Sequence, residues 1–263
     1  MKKRFEDVVE ISKYLRSPKG CPWDREQTLN TLKSYIVEEA YEVVEAIERR
    51  DTEELVEELG DLLYQVIFAS QISDEEGRFS IEDVTNRLYY KLVRRHPHVF
   101  GENKAKDAEE AVQRWHGEKM KEKSRKRDLL HIPRTMPALL RAQRVGEKAS
   151  QVGFDWNSAE EVMEKVKEEV EELQKAMSTQ EKGVIKTEIE IEKEWGDVIF
   201  SLVNLARFLK IDAEESTHKA TQCFIDRFSQ LRNKANERGK NILELTLKEM
   251  DELWDEVKKE ETS

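Results

Sequence analysis

Apolar side chains recur along the chain at intervals of three and four residues, the spacing that places them on one face of an α-helix. Glycine and proline, which interrupt helices, number only 10 and 5 among 263 residues. The pattern predicts helices near 4–16, 28–49, 53–75, 80–95, 137–151, 158–177, 188–210, 213–237 and 244–259. With 38% charged residues, it indicates an all-α protein.

The predicted elements occur in the same order in the two halves of the chain. Each half has a first helix, a loop containing Trp and Asp, two long helices and a helix with basic residues. We therefore predict two tandem helical-bundle domains, at 1–100 and 136–263. Residues 101–135 are charged and poor in aliphatic side chains, which indicates a helical connector, and 178–187 is interpreted as a flexible polar loop.

The two long helices of each half contain the same pattern of carboxylates, EExxE followed by ExGD. Residues three apart lie on one face of a helix, so the carboxylates converge if the two helices pack side by side. Oxygen ligands without His or Cys favour Mg²⁺, with Mn²⁺ as a second possibility. The candidate metal ligands are Glu39, Glu42, Glu58 and Asp61 in the first half, and Glu169, Glu172, Glu194 and Asp197 in the second.

A single such motif would be weak, because the chain has 56 Asp and Glu residues and solvated acidic helix faces are common. Two features strengthen the metal-site hypothesis. The motifs are duplicated in the same order, and a glycine precedes each final aspartate, at Gly60 and Gly196. Glycine inside a helix costs about 1 kcal/mol relative to alanine, so a small residue there suggests close approach by another group.

The composition of the chain indicates which binding partners and which cellular compartment to expect. The net charge of −11 disfavours binding to a nucleic-acid polymer. There is no apolar run long enough for a membrane span, and no apolar signal core follows the basic N-terminus. The two cysteines, Cys21 and Cys223, lie in different halves, which predicts a reduced, cytoplasmic protein without disulfides.

Several further strings resemble signatures of the MazG family of nucleoside triphosphate pyrophosphohydrolases, in its long, two-domain form. They are Cys21-Pro22-Trp23-Asp24, Arg94–Phe100, Pro137–Gln143 and Val152–Trp156, beside the carboxylate motifs. The resemblance implies MazG-like helical domains of the all-α NTP pyrophosphatase type and a homodimer. It also implies Mg²⁺-dependent hydrolysis of NTPs or dNTPs to the monophosphate and pyrophosphate. Nucleotide-pool housecleaning and stress regulation both fit the family.

The resemblance also assigns roles to residues. It makes the two carboxylate sets metal ligands, and the leading Glu38 and Glu168 would hold a second metal or orient the attacking water. Trp254 would stack on a base, although packing of the C-terminal helix explains it equally well. The residues expected to bind substrate are Lys91, Arg94, Arg95, Lys119, Arg227 and Trp254.

The two halves differ in their basic residues. Aligning Arg95 with Arg227 places Cys223 opposite Lys91 and Asp226 opposite Arg94, so the second half lacks two positive charges. We therefore expect the first half to be at least as catalytically complete as the second.

Two other classes of protein compete with the pyrophosphohydrolase interpretation. The alternative is a noncatalytic helical regulatory protein that binds metal or nucleotide. A carboxylate di-iron bundle is disfavoured, because Glu-x-x-His elements are absent near these motifs.

Overall fold

The computed structural model describes residues 2–101, 104–124, 130–178 and 185–261. Across these ranges the chain is helical and contains no β-strand, which confirms the predicted all-α class. The chain forms two compact units, Met1–Arg125 and Lys126–Ser263. None of the described helices is long and apolar enough to cross a membrane.

The first unit is built around a pair of long helices. Its helices are α1 (Phe5–Leu15), α2 (Pro22–Glu26), α3 (Leu32–Arg49), α4 (Thr52–Glu75), α5 (Ile81–Arg95), α6 (Pro97–Phe100) and α7 (Ala108–Ser124). Leu32 from α3 is buried against Phe68 and Ile72 from α4, which forms the core of the pair. Helix α7 packs against α5 and α6 and so belongs to this unit.

A two-residue connection sets the antiparallel arrangement of α3 and α4. Arg50 ends α3 in the left-handed conformation, with φ of 58°. Asp51 then begins α4 as its N-cap, and its carboxylate accepts hydrogen bonds from the amides of Glu53 and Glu54 at 3.0 and 3.1 Å. The chain therefore turns back at once, and α4 runs along α3 as a helical hairpin.

Arg16, at the end of α1, fastens the far end of this hairpin. Its guanidinium donates to the carboxylate of Glu75 at 2.8–2.9 Å. It also donates to the backbone carbonyls of Asp24 and Gln27, at 2.5 and 3.1 Å. The segment containing Trp23 and Asp24, which we expected to be a loop, is thereby held as the short helix α2.

The second unit has the same type of core. Its helices are α8 (Ala138–Ser150), α9 (Ala159–Ser178), α10 (Ile185–Phe208), α11 (Ala213–Glu237) and α12 (Leu247–Glu261), with a 3-10 turn at Ile242–Glu244. Val162 and Val166 of α9 are buried against Leu205 of α10. At Gly146 of α8 a Cβ would lie 2.5 Å from the side-chain oxygen of Asn204, so glycine permits the close contact with α10.

Most predicted helix boundaries agree with the structure, and two differ for local reasons. Helix α3 begins at Leu32 rather than near 28, because Thr28 and Thr31 bond each other's backbone amides through their hydroxyls. Helix α10 begins at Ile185, inside the predicted polar loop 178–187, and residues 179–184 of that loop lie outside the described residues. The predicted cap of α5 is confirmed, since Ser80 and Asp83 form a capping box.

Candidate metal sites and substrate-binding residues

The α3–α4 hairpin brings the carboxylates of Glu39, Glu58 and Asp61 together. One carboxylate oxygen from each of the three lies within 4.8 Å of the other two. Glu39 and Glu58 are half-buried and Asp61 is exposed. The three-residue spacing predicted the convergence of four carboxylates, and the structure brings three of them together.

Glu42 lies beside this cluster rather than within the group of three. Burial raises the pKa of Glu39 above its usual range, and the charges of Asp61 and Glu42 raise it further. Burial likewise raises the pKa of Glu58, with contributions from Glu42, Asp61 and Glu39. Carboxylates gathered in this way are a donor set that a divalent cation would fit, because its positive charge relieves their mutual repulsion.

Glu38, the leading carboxylate of the motif, is exposed and is not among the three residues whose oxygens converge. Its predicted role in orienting water remains a prediction. The same holds for Glu168 in the second half, whose carboxylate accepts a hydrogen bond from Lys165 at 2.9 Å.

Gln65 is a part of the first site that the sequence analysis missed. Its side-chain amide is buried and donates to Glu39 at 3.2 Å, while its amide oxygen has no hydrogen-bond partner among the described residues. Gln65 lies four residues after Asp61 on the same face of α4, so helical spacing was the available signal.

The second half repeats the convergence of three carboxylates. One oxygen each from Glu169, Glu194 and Asp197 lies within 4.8 Å of the others. Glu169 is only 7% exposed, and one carboxylate oxygen of Glu194 is buried without a hydrogen-bond partner in the described residues. Glu172, like Glu42, is not one of the three.

Two lysines lie at this second cluster, and they also escaped the sequence analysis. The ammonium of Lys165 is 2.7 Å from Glu169, and that of Lys193 is 2.8 Å from Glu194 and 3.2 Å from Asp197. Hydrogen bonds to these carboxylates raise the pKa of both lysines. Each lysine is four residues before a clustered acid, so i,i+4 spacing could have revealed it.

The predicted basic residues of the first unit lie on and near α5. Lys91 and Arg94 are exposed, and the guanidinium carbon of Arg95 lies 5.5 Å from the ring centroid of Trp115 on α7. Beside Trp115 is a cavity of about 290 Å³, lined by His96, His98, Ala111, Val112 and Trp115. The side chain of Lys119 lies outside the described part of the chain.

The predicted substrate-binding residues of the second unit, Arg227 and Trp254, contact other side chains of the same unit. Arg227 pairs with Glu261 of α12 at 2.7 Å. Trp254 packs against Phe224, with ring centroids 5.1 Å apart, beside the buried cluster formed by α11 and α12. The structure thus displays the packing role of Trp254, while its stacking on a base remains a prediction.

Comparisons with known proteins show which family the chain resembles. The model of the MazG nucleotide pyrophosphohydrolase domain matches residues 27–100 and 157–231. The chain is 44% identical to the nucleoside triphosphate pyrophosphohydrolase/pyrophosphatase MazG of Thermotoga maritima, over 97% of this chain and 95% of that protein. It is 40% identical to the nucleoside triphosphate pyrophosphohydrolase of Escherichia coli K12, over 98% of both chains. A crystal structure of a mazG-related protein from Thermotoga maritima aligns with 44% of this chain and 98% of its own, at 30% identity and a TM-score of 0.38.

The fold and its clusters define a class: a tandem all-α protein with a convergent carboxylate set on a helix pair in each half. The chain belongs to the MazG nucleotide pyrophosphohydrolase family, and it is an enzyme of that class. The family resemblance noted in the sequence is thereby confirmed.

Proposed function

We propose that the protein hydrolyses nucleoside triphosphates, NTP or dNTP, to the monophosphate and pyrophosphate with Mg²⁺, and that its first half performs the reaction. The observation that supports this is the convergence of Glu39, Glu58 and Asp61 in a chain whose full-length relatives are named nucleoside triphosphate pyrophosphohydrolases. Mn²⁺ could replace Mg²⁺, since both prefer carboxylate oxygen.

In this proposal Glu39, Glu42, Glu58 and Asp61 hold the metal. When bound, the metal neutralises phosphate charge and lowers the pKa of water. Gln65 fixes one oxygen of Glu39 and so keeps that carboxylate turned toward Glu58 and Asp61. Glu38, which is exposed at the start of the motif, orients the attacking water.

Basic residues bind the phosphates of the substrate. We assign this role to Lys91 and Arg94 on α5, which are exposed to solvent, and to Lys119 on α7. Arg95 joins them from its position against Trp115.

The second half has fewer positively charged side chains that could bind a triphosphate. Cys223 and Asp226 stand where the first half has Lys91 and Arg94. Arg227, the remaining cation of that series, already pairs with Glu261. These contacts support assigning turnover to the first half.

We also infer that the protein is a homodimer in which α4 of one copy packs on a second copy. Apolar side chains follow α4 at helical spacing yet remain exposed, with Val56 at 68%, Leu59 at 49% and Leu63 at 45%. Gly60 lies within this stripe, and a Cβ there would meet no described atom of the chain within 4 Å. A second copy would bury the stripe and supply the close approach that the glycine suggests.

The test of the function is product analysis with a panel of NTPs and dNTPs in Mg²⁺. We expect equimolar monophosphate and pyrophosphate, and loss of both products in EDTA. Nucleotide binding without turnover across the panel would support a noncatalytic regulatory protein instead. Release of the diphosphate and inorganic phosphate would show that cleavage occurs at another bond.

A further inference from the structure

We propose that Lys193, together with Lys165, takes the place of a divalent cation in the cluster of Glu169, Glu194 and Asp197. The second half then holds its carboxylates together without metal. This inference rests on the proposed function in one respect, namely that the matching carboxylates of the first half bind metal.

The contacts of Lys193 are those a cation would make. Its ammonium lies 2.8 Å from Glu194 and 3.2 Å from Asp197, and so bridges both ligands that α10 contributes. Lys165 approaches from α9 and lies 2.7 Å from Glu169, the ligand from the other helix. All three convergent carboxylates therefore contact an ammonium group.

The first half has no lysine at these places. Glu57 occupies the position of Lys193, directly before the first acid of ExGD, and Tyr35 occupies that of Lys165. At Glu57 the charge is opposite to that of Lys193, so a fifth carboxylate follows the same stretch of helix. The first cluster thus gathers negative charge that a cation must balance, whereas the second balances its own.

A divalent ion would have to compete with these lysines for the same carboxylate oxygens. Each lysine is tethered to the helix that bears its partner, so its ammonium stays close to the carboxylates at any metal concentration. Mg²⁺ gives up its hydration water reluctantly and needs open carboxylate oxygens in return. The ion would have to compete with an internal cation at each of the three ligands.

The experiment counts tightly bound Mn²⁺ per chain by electron paramagnetic resonance of the free ion, without nucleotide. The matched variants are Glu58→Gln in the first half and Glu194→Gln in the second. We expect Glu58→Gln to abolish most tight binding, and Glu194→Gln to leave the wild-type count unchanged. An equal loss in both variants would overturn the proposal.

A gain of binding completes the test. The double variant Lys165→Tyr, Lys193→Glu gives the second half the residues of the first, and we expect its Mn²⁺ count to reach about twice the wild-type value. Adding Glu194→Gln to this double variant should remove the additional ions. A double variant that keeps a wild-type helical circular dichroism spectrum but binds no additional Mn²⁺ would refute the role of the lysines.

This outcome is separable from the proposed function. If the wild type releases pyrophosphate and the Glu194→Gln variant loses tightly bound Mn²⁺, only the proposal that lysines replace the metal is contradicted. A chain that releases no pyrophosphate contradicts the proposed function, whatever its Mn²⁺ count.

Discussion

The carboxylates of the two halves share their spacing but differ in the residues that surround them. Glu39 accepts a hydrogen bond from the amide of Gln65, whereas Glu169 receives the ammonium of Lys165. An amide orients a carboxylate and leaves its charge available, while an ammonium neutralises it. The same motif can therefore serve metal binding in one half and internal ion pairing in the other.

A pair of matched substitutions tests this difference in activity. Glu42→Gln removes one charge from the first site with little change in size, and we expect kcat/KM to fall by about 100-fold, because metal ligands stabilise transition-state charge by several kcal/mol. Glu172→Gln, its counterpart, should reduce kcat/KM by less than about threefold. Steady-state pyrophosphate release measures both, and a larger loss in Glu172→Gln would contradict the assignment of turnover to the first half.

Gln65 provides a second test at the residue scale. Gln65→Leu keeps the volume of the side chain but removes the hydrogen bond to Glu39, so we expect Mn²⁺ affinity to fall by about tenfold, the size of a typical outer-shell effect. Isothermal titration calorimetry measures the affinity. The control is Ser201→Ala, because Ser201 occupies the matching position but bonds the carbonyl of Val198. Equal losses in both variants would show that Gln65 acts only through general packing.

Among the helices, the hairpin of α3 and α4 is the element on which the first site depends. Its turn fixes one end through Arg50 and Asp51, and Arg16 fastens the other end through Glu75. The side chain of Arg16 is 9% exposed, and its guanidinium donates hydrogen bonds to two carbonyls as well as to the carboxylate. Arg16 therefore joins α1, α2 and α4.

Replacing either partner of this ion pair should lower stability by different amounts. We expect Arg16→Met to cost about 2–4 kcal/mol, since it leaves buried acceptors unpaired. Glu75→Gln should cost about 1 kcal/mol or less, because Glu75 is 38% exposed and water screens the pair. Urea unfolding followed by circular dichroism measures both, and equal costs would contradict this account of Arg16.

The same pair predicts a dependence of stability on pH. The Arg16 hydrogen bond lowers the pKa of Glu75 below its ordinary value of 4.5. A carboxylate with a depressed folded-state pKa stabilises the fold above the unfolded-state pKa, and this contribution is lost as pH falls through the folded-state pKa. Unfolding free energies of the wild type and Glu75→Gln should therefore converge as pH falls below 4.5 and through the folded-state pKa, and a constant difference would exclude the pair as the cause.

Local patterns were sufficient to predict most of the helices and the convergence of three of the four carboxylates in each half. The capping box of Ser80 and Asp83 and the face shared by Glu58 and Asp61 depend only on spacing within one helix. The pairing of Arg227 with Glu261, 34 residues later, depends on how α11 and α12 pack, which no local pattern specifies. Lys193 was visible at helical spacing, because both of its partners lie on α10, whereas the arrival of Glu169 from α9 depends on how the two helices pack.

At the scale of the whole molecule, each of the two units exposes an apolar surface of its own. On α4 this surface includes Val56, Leu59 and Leu63, and in the second half Trp195 is 59% exposed beside Gly196. As at Gly60, a Cβ at Gly196 would meet no described atom within 4 Å. Both glycines thus stand next to exposed apolar side chains, and a second copy would cover such a surface.

Charged substitutions in this stripe test the proposed dimer. We expect the double variant Leu59→Glu, Leu63→Glu to convert the dimer to a monomer, because burying two carboxylates in an apolar interface costs several kcal/mol. Sedimentation velocity measures the mass. The control is Leu243→Glu, at a leucine of the second unit that is 89% exposed. A wild-type monomer, or a dimer that survives the double substitution, would contradict the assignment of this surface.

The residue directly before each ExGD motif is Glu57 in one half and Lys193 in the other. This difference bears on how the charge of a site can change during evolution. Glutamate and lysine codons differ only in their first base. The charge beside a carboxylate set can therefore be reversed by a single base change, while the helices that carry the carboxylates stay intact.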